Sequence, residues 1–393
     1  MPLTPTLLAA IPLAIWVYLF LARGNFWQLR EDDTQPQPRT SWPSVVAIVP
    51  ARNEAETIAR TVSSLAKQDY PGEFHIIVVD DHSGDGTAAL ARNAAQLSGA
   101  EERVSIHLAA DLPPDWTGKL WALHEGVRAT SWRAPEFFWF TDADIEHPPD
   151  TLRRLVFRAE RDALDLTSLM VLLQANTFAG RLLIPPFLYF FLMLYPPRWI
   201  ADPKARTAGA AGGCILLRRE ALERLGGIAV IRSEVIDDCA LARAVKWSGG
   251  KIWMGLTRAS VSVRGYGSFA EIRNMIARTA FTQLHYSFLL LVAALAGLFV
   301  TFLLPWFSFL AGEDPAWFLA STAICLMTVT FGVTVRFYSV SWPWALALPI
   351  AAVYYGYASC ISAVRYWHGR GGQWKGRAQA QQGLRGPQTP QGS

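Results

Sequence analysis

With 393 residues, 51% of them hydrophobic, and with 16 Trp and 21 Phe, the chain is too apolar for a wholly water-soluble protein of its length. A formal net charge of +4 lacks the basic excess of a nucleic-acid binder, so no nucleic-acid partner is expected. The four cysteines, Cys214, Cys239, Cys325 and Cys360, show no CxxC spacing, which gives neither a zinc site nor a disulfide framework and agrees with a reducing compartment.

Residues 3–22, "LTPTLLAAIPLAIWVYLFLA", carry no charge and reach the roughly 20 residues of a bilayer-spanning helix. No basic residue precedes the run and no small-x-small site follows it, so it reads as an uncleaved anchor rather than a signal peptide. Arg23 and Arg30 follow it, which places the next residues in the cytoplasm. A polar, proline-bearing linker then leads into an alternating stretch. "SVVAIVPAR" (44–52) predicts a buried strand and "NEAETIARTVSSLAKQ" (53–68) a helix with Asn53 as N-cap. "FHIIVVDD" (74–81), "RVSIHLA" (103–109) and "EFFWFTDAD" (136–144) predict further strands, separated by helices in "GDGTAALARNAAQL" and "KLWALHEGVRAT". Strands alternating with helices of this length predict an α/β fold with a mostly parallel sheet flanked by helices.

Further along, "RLLIPPFLYFFLMLYPPRWI" (181–200) is nearly uncharged and interrupted by two Pro-Pro pairs. It reads as a helix lying at the bilayer surface or re-entering it, or as a buried helix of the soluble domain. Three uncharged stretches, about 288–311, 316–335 and 342–364, predict C-terminal membrane helices. Three full passes would leave the basic tail "RYWHGRGGQWKGR" outside, against the charge rule that sets the first segment. The expected divisions are an N-terminal transmembrane anchor (1–24), a linker (25–43), a cytoplasmic α/β domain (44–287, halves 44–150 and 151–287), C-terminal membrane helices (288–366) and a flexible basic tail (367–393).

Ligands of such sheets sit beyond the carboxyl ends of the strands. There the sequence puts Pro50, Ala51 and Arg52 after the first strand, Asp80 and Asp81 after the second, and Asp142 and Asp144 after the fourth. Asp142 and Asp144 share a face only if the strand stays regular, and diverge if it breaks before Pro148 and Pro149. Paired acids repel unless a cation intervenes. Mg²⁺ or Mn²⁺, held by one or two carboxylates and by phosphate oxygens, suits them, and a solvated acidic turn is the alternative.

"VAIVPARNEAETI", "IIVVDDHSGDGT", "TGKLWALHEG" and "FFWFTDADIEHPPDTL", in that order and spacing, resemble the nucleotide-sugar half of the inverting family-2 glycosyltransferases, which have the GT-A fold. The resemblance implies that Pro50, Ala51, Arg52, Glu54, Asp80 and Asp81 hold the nucleoside, that Lys119 lies along the donor, and that Asp142 and Asp144 bind the metal and diphosphate. "GAAGGCILLRREALERLGG" (209–227) resembles the family's acceptor lining, with Gly212 and Gly213 admitting a close approach, although a strand-turn-helix explains it as well. In "SEVIDDCALARAVKWSGGK" (233–251) the resemblance puts Asp238 in the place of the catalytic base and Asp237 where the family has Glu; a carboxylate at a helix start is also an ordinary dipole partner.

The processive members' Gln-x-x-Arg-Trp segment corresponds here to Met275, Arg278 and Thr279, which weakens the case for a polymer acceptor. Arg278 then either meets the diphosphate or snorkels at a helix end. The anchor, "TDADIEHPPDTL", "AGGCILLRR" and "RTAFTQLHYS" together are similar to the hopene-associated glycosyltransferases of hopanoid biosynthesis. That similarity implies a multi-pass protein of the bacterial inner membrane, a nucleoside-diphosphate sugar as donor and a membrane lipid as acceptor. Transfer to polyprenyl phosphate, and a scaffold that binds nucleotide without turnover, are the rivals. Donor base, sugar and oligomeric state are left open.

Overall fold

The computed structural model describes all residues except 1–2, 33, 131–133, 313, 375–376 and 379–393, so most of the predicted tail lies outside the described residues. An N-terminal helix α1 (Leu3–Leu21) precedes the alternating region β1 (Val45–Ala51), α2 (Ile58–Ala66), β2 (Phe74–Asp80), α3 (Thr87–Leu97), β3 (Val104–Leu108), α4 (Gly118–Arg128) and β4 (Phe137–Phe140). The second half runs β5 (Ile145–Glu146), α5 (Thr151–Arg161), β6 (Leu166–Leu172), α6 (Phe178–Leu194), α7 (Pro197–Ala201), β7 (Ile215–Arg218), α8 (Arg219–Leu225), α9 (Asp237–Trp247) and β8 (Ile252–Ser262). Helices α10 (Phe269–Gln283), α11 (Phe288–Leu298), α12 (Leu304–Ala311), α13 (Ala316–Phe337) and α14 (Leu348–Trp367) follow.

One sheet of order β3-β2-β1-β4-β7-β6-β8-β5 gathers these eight strands, and a separate antiparallel pair, Gln373–Trp374 with Arg377–Ala378, follows the last helix. The four strands of the first half are mutually parallel, as their alternation with helices predicts. β7 is antiparallel to both β4 and β6, and β5 is antiparallel to β8 at the far edge. Every residue of β1 is buried, because helices cover both faces of the sheet at its centre. Gly126 lets α4 lie against β1: a Cβ there would stand 2.4 Å from Ile48 Cγ2.

Three expectations are corrected. The first helix starts at Ile58, not at residue 53, because Asn53 has φ +51°, a left-handed conformation that an N-cap residue does not adopt. Its side chain accepts instead from Gly84 N at 3.0 Å and so ties the β1 loop to the β2 loop. The fourth strand stops at Phe140, and the chain turns through residues 141–144 to pair β5 with β8. Pro185 and Pro186 lie inside α6 rather than interrupting it, and only the second pair, Pro196 and Pro197, closes the helix.

Among the described residues four helical stretches, 178–201, 288–311, 316–337 and 342–367, are long and apolar enough to cross a membrane, whereas the apolar helix 5–21 is shorter. The stretch read from sequence as interfacial is thus among the four, and half of its most apolar window is buried within the protein. α1 packs on the C-terminal helices: Trp16 Nε1 donates to Thr301 O at 2.8 Å, and Ala9 joins Ala316 and Ala320 in one cluster. Arg23 Nε donates to Met193 O at 2.9 Å, fastening the end of α1 to the last turn of α6.

Candidate functional site

The carboxyl ends of β1, β2 and β4 converge on one side of the sheet, as the parallel ladder requires. Asp81 N donates to Ala51 O at 2.8 Å, continuing the β1–β2 pairing by one residue. Arg52 donates to the carbonyl of Asp81 and lies 3.4 Å from its Oδ2. Asp81 is fully buried, and Asp80 is 6% exposed with Oδ1 lacking a hydrogen-bond partner among the described residues.

Where β4 breaks, its two acids diverge and each meets a cation. Asp142 Oδ1 lies 2.9 Å from Lys119 Nζ, and Asp144 Oδ2 lies 3.1 Å from Arg264 Nε. The fold supplies these cations from α4 and from beyond the end of β8. Ser262 Oγ also donates to Asp144 Oδ2 at 3.1 Å, and Val263 N to Asp144 O at 2.7 Å. Thr141, the residue before Asp142, donates to Gly213 O at 2.9 Å and shares a 2.9 Å hydrogen bond with His147 Nε2. Burial pushes the His147 imidazole down to about 3, so it stays neutral and serves as a rigid strut.

On the other wall α9 begins with Asp237 and Asp238, at the positive end of its dipole. Asp237 Oδ2 lies 3.0 Å from Lys119 Nζ, so one ammonium joins acids from both halves. Burial opposes that charge, yet Asp142, Asp237 and Asp238 hold the ammonium above the ordinary lysine range. Asp238 accepts from Gly212 N at 2.9 Å and from Cys239 N at 2.7 Å. Burial, and then the neighbouring charge of Asp237, push its carboxyl up to about 6 against the pull of Lys119. A Cβ on Gly212 would stand 3.2 Å from Lys119 Nζ and 3.4 Å from Asp238 Oδ2, and one on Gly213 would stand 2.9 Å from Val171 Cγ2. Both glycines are therefore explained by close approach.

Pro50, Glu54, Lys119, Asp142, Asp144, Gly212, Gly213, Asp237, Asp238 and Arg278 line one cavity of about 660 Å³. Ala51, Arg52, Asp80 and Asp81 stand outside that lining, at the strand ends beside it, and the burial of Asp81 makes it a support for Arg52. Seven carboxylates line the cavity against three cationic side chains, Lys119, Arg264 and Arg278. Apolar side chains also line it, among them Phe187 and Phe191 of α6 and Met275 of α10. Sequence reasoning missed Arg264 and Ser262. The rule that ligands gather at strand ends, applied to "IWMGLTRASVSVRG", would have flagged Arg264 in the same way as Asp81.

No group of three or more His, Cys, Asp or Glu side chains is placed to hold a metal ion among the described residues. Asp142 and Asp144 nevertheless suit a hard divalent cation. Each has one oxygen engaged by a cation and a second oxygen without a partner among the described residues. Two carboxylates completed by substrate phosphate oxygens are a usual donor set for Mg²⁺.

Fold and site define a GT-A-like α/β domain. Residues 46–226, just under half of the chain, match the sequence profile of the family described as glycosyl transferase family 2. An N-acetylglucosaminyltransferase of Rhizobium leguminosarum bv. viciae is 28% identical over 191 residues, 46% of this chain and 40% of that protein. A β-monoglucosyldiacylglycerol synthase of Synechocystis sp. is 34% identical over 116 residues, covering 29% of this chain and 22% of that protein. The chain thus spans less than half the length of these curated relatives. The solved structure of the mannosyltransferase PcManGT from Pyrobaculum calidifontis, in complex with GDP-Man and Mn²⁺, superposes with a TM-score of 0.56 at 22% identity. The match covers 91% of this chain and 99% of that one and shows a shared fold.

Proposed function

We propose that the protein is a membrane-bound inverting glycosyltransferase that moves one sugar from a nucleoside-diphosphate donor to a membrane lipid. The observation that carries this reading is the single cavity that unites Asp142, Asp144, Lys119 and Asp238 with the apolar side chains of α6 and α10. Both helices continue into or border the apolar stretches, so an amphiphile can present a hydroxyl while its body stays in lipid. The relative named as a glycolipid synthase supports a lipid acceptor. The likeness to hopene-associated enzymes makes a polycyclic triterpenoid alcohol the first acceptor to try. The catalytic domain faces the cytoplasm in this reading, where nucleotide sugars are made.

Asp142 and Asp144 would hold Mg²⁺ or Mn²⁺, which supplies charge neutralisation to the departing diphosphate. Lys119 offsets phosphate charge from the side of α4. Asp238, fixed by Gly212 N and Cys239 N, takes the proton of the acceptor hydroxyl. The hydroxyl oxygen then attacks C1 of the sugar from the face opposite the diphosphate. The bond from C1 to the diphosphate oxygen breaks with its electron pair on that oxygen, and the configuration at C1 inverts.

A second reading, transfer to a polyprenyl phosphate, is favoured by Arg278, which lines the cavity and forms no ion pair among the described residues. Protein in lipid nanodiscs with Mn²⁺, labelled nucleotide sugars and either total lipid from a hopanoid-making bacterium or polyprenyl phosphate would decide. Label entering the organic phase, abolished by Asp142→Asn, supports glycosyl transfer. Nucleotide binding without transfer to any acceptor overturns it in favour of a scaffold.

A further inference from the structure

Arg264 belongs to none of the motifs that marked the site, yet it holds the acid at its centre. Its Nε lies 3.1 Å from Asp144 Oδ2 and its Nη2 2.5 Å from Glu54 Oε2. One guanidinium thus joins the end of the fourth strand to the β1 loop across sequence separations of 120 and 210 residues. The pairing of β5 with β8 makes this possible, since Ile145 stands opposite Ser262 and carries Asp144 to the residues that follow β8. The side chain is 36% exposed, and it faces the cavity that also contains Lys119, Asp142 and Asp238.

Two cations in one place compete. Asp144 Oδ2 already accepts from Arg264 and Ser262, so a divalent ion on the other oxygen shares one carboxylate with the guanidinium, and repulsion between the two cations drives the guanidinium to withdraw. Withdrawal falls to the Arg264 side chain, since the backbone on either side is tied: Val263 N donates to Asp144 O at 2.7 Å, and Tyr266 O accepts from Thr177 Oγ1 at 3.1 Å. A planar guanidinium freed beside a diphosphate finds a dianion that it binds bidentately. The bond to Glu54 keeps the head group within the cavity meanwhile.

We propose that Arg264 is an exchangeable counter-cation of the donor site, holding Asp144 before a divalent ion arrives and passing to the donor's diphosphate once the ion has taken Asp144. The proposal rests on the donor-site reading above and assigns Arg264 a donor-binding role beyond it. Its consequence is an opposition of signs: Arg264 weakens the binding of the metal alone and strengthens the binding of nucleotide with metal.

The test compares the full-length protein with Arg264→Gln and Arg264→Lys. Binding of Mn²⁺ alone is followed by electron paramagnetic resonance of the free ion, and binding of UDP and GDP at saturating Mn²⁺ by calorimetry. Arg264→Gln is expected to bind Mn²⁺ alone roughly fivefold more tightly and the preferred nucleotide roughly tenfold more weakly, the sizes typical of one partly exposed charge-assisted contact. Arg264→Lys, which keeps the charge but lacks the fork, should fall between and supplies the comparison should the Gln variant not fold. Unchanged or weaker Mn²⁺ binding in the variants overturns the exchange and leaves Arg264 a structural clamp. A wild-type protein that binds neither Mn²⁺ nor nucleotide would instead defeat the donor-site reading itself.

Discussion

Asp238→Asn separates a catalytic role from a structural one, because the two predict opposite changes in stability. Burial and Asp237 raise the Asp238 carboxyl from the ordinary 3.8 to about 6. At about 1.4 kcal/mol per pH unit, the charged carboxylate costs the folded state about 3 kcal/mol once the pH exceeds 6. The sign follows from the upward shift: the protonated form favours folding below pH 4, and that benefit disappears as the pH rises through about 6. Asparagine stays neutral throughout. Its Oδ1 can replace only one of the two acceptors that serve Gly212 N and Cys239 N, a loss of about 1 kcal/mol. The variant should therefore be more stable than wild type by about 1–2 kcal/mol at pH 7.5 and gain nothing at pH 4. Thermal unfolding in detergent, followed by tryptophan fluorescence across that pH range, measures the difference. Sugar transfer to a neutral lipid should fall by about 10²–10⁴, and wild-type kcat/KM should rise with pH through about 6. A variant that keeps transfer within threefold of wild type, or that is destabilised equally at both pH values, refutes the reasoning; retained transfer with polyprenyl phosphate alone would instead favour the anionic acceptor.

Gly212→Ala places a methyl group 3.2 Å from Lys119 Nζ and 3.4 Å from Asp238 Oδ2. It should lower kcat by about tenfold or more while costing only about 1–2 kcal/mol of stability, as read by initial rates and thermal unfolding. Lys119→Met removes the partner of both Asp142 and Asp237 and should destabilise the protein by about 3 kcal/mol while abolishing transfer. Adding Asp237→Asn to it should recover part of the stability and none of the transfer, and full independence of the two substitutions would show that the ion pairs are not coupled.

Most of the first half was legible because its physics is local. The buried strands β1, β2 and β4 are runs of β-branched and aromatic residues, and α3 and α4 fall in the stretches read as helices, so the ends of β1 and β2 and the acids beside them could be located from residue order alone. Asn53 escaped that reading because a left-handed φ is imposed by its bond to Gly84, thirty-one residues away. The prolines of α6 escaped it too, since packing against the C-terminal helices keeps that helix continuous: Tyr189 shares a 2.8 Å hydrogen bond with Thr330, and Tyr355 donates to Leu183 O at 2.9 Å.

By itself the sequence determined the alternation of strands and helices, the positions of the acids at strand ends and the apolar C-terminal stretches, all of which depend on neighbours within a few residues. The tertiary structure decided which charges face one another. Lys119 joins Asp142 and Asp237, and Arg264 joins Asp144 and Glu54, because a sheet of order β3-β2-β1-β4-β7-β6-β8-β5 brings both halves of the chain to one rim. Ion pairs across such separations leave no periodicity in the sequence; their geometry comes from strand pairing and helix packing, which act only once the chain has folded.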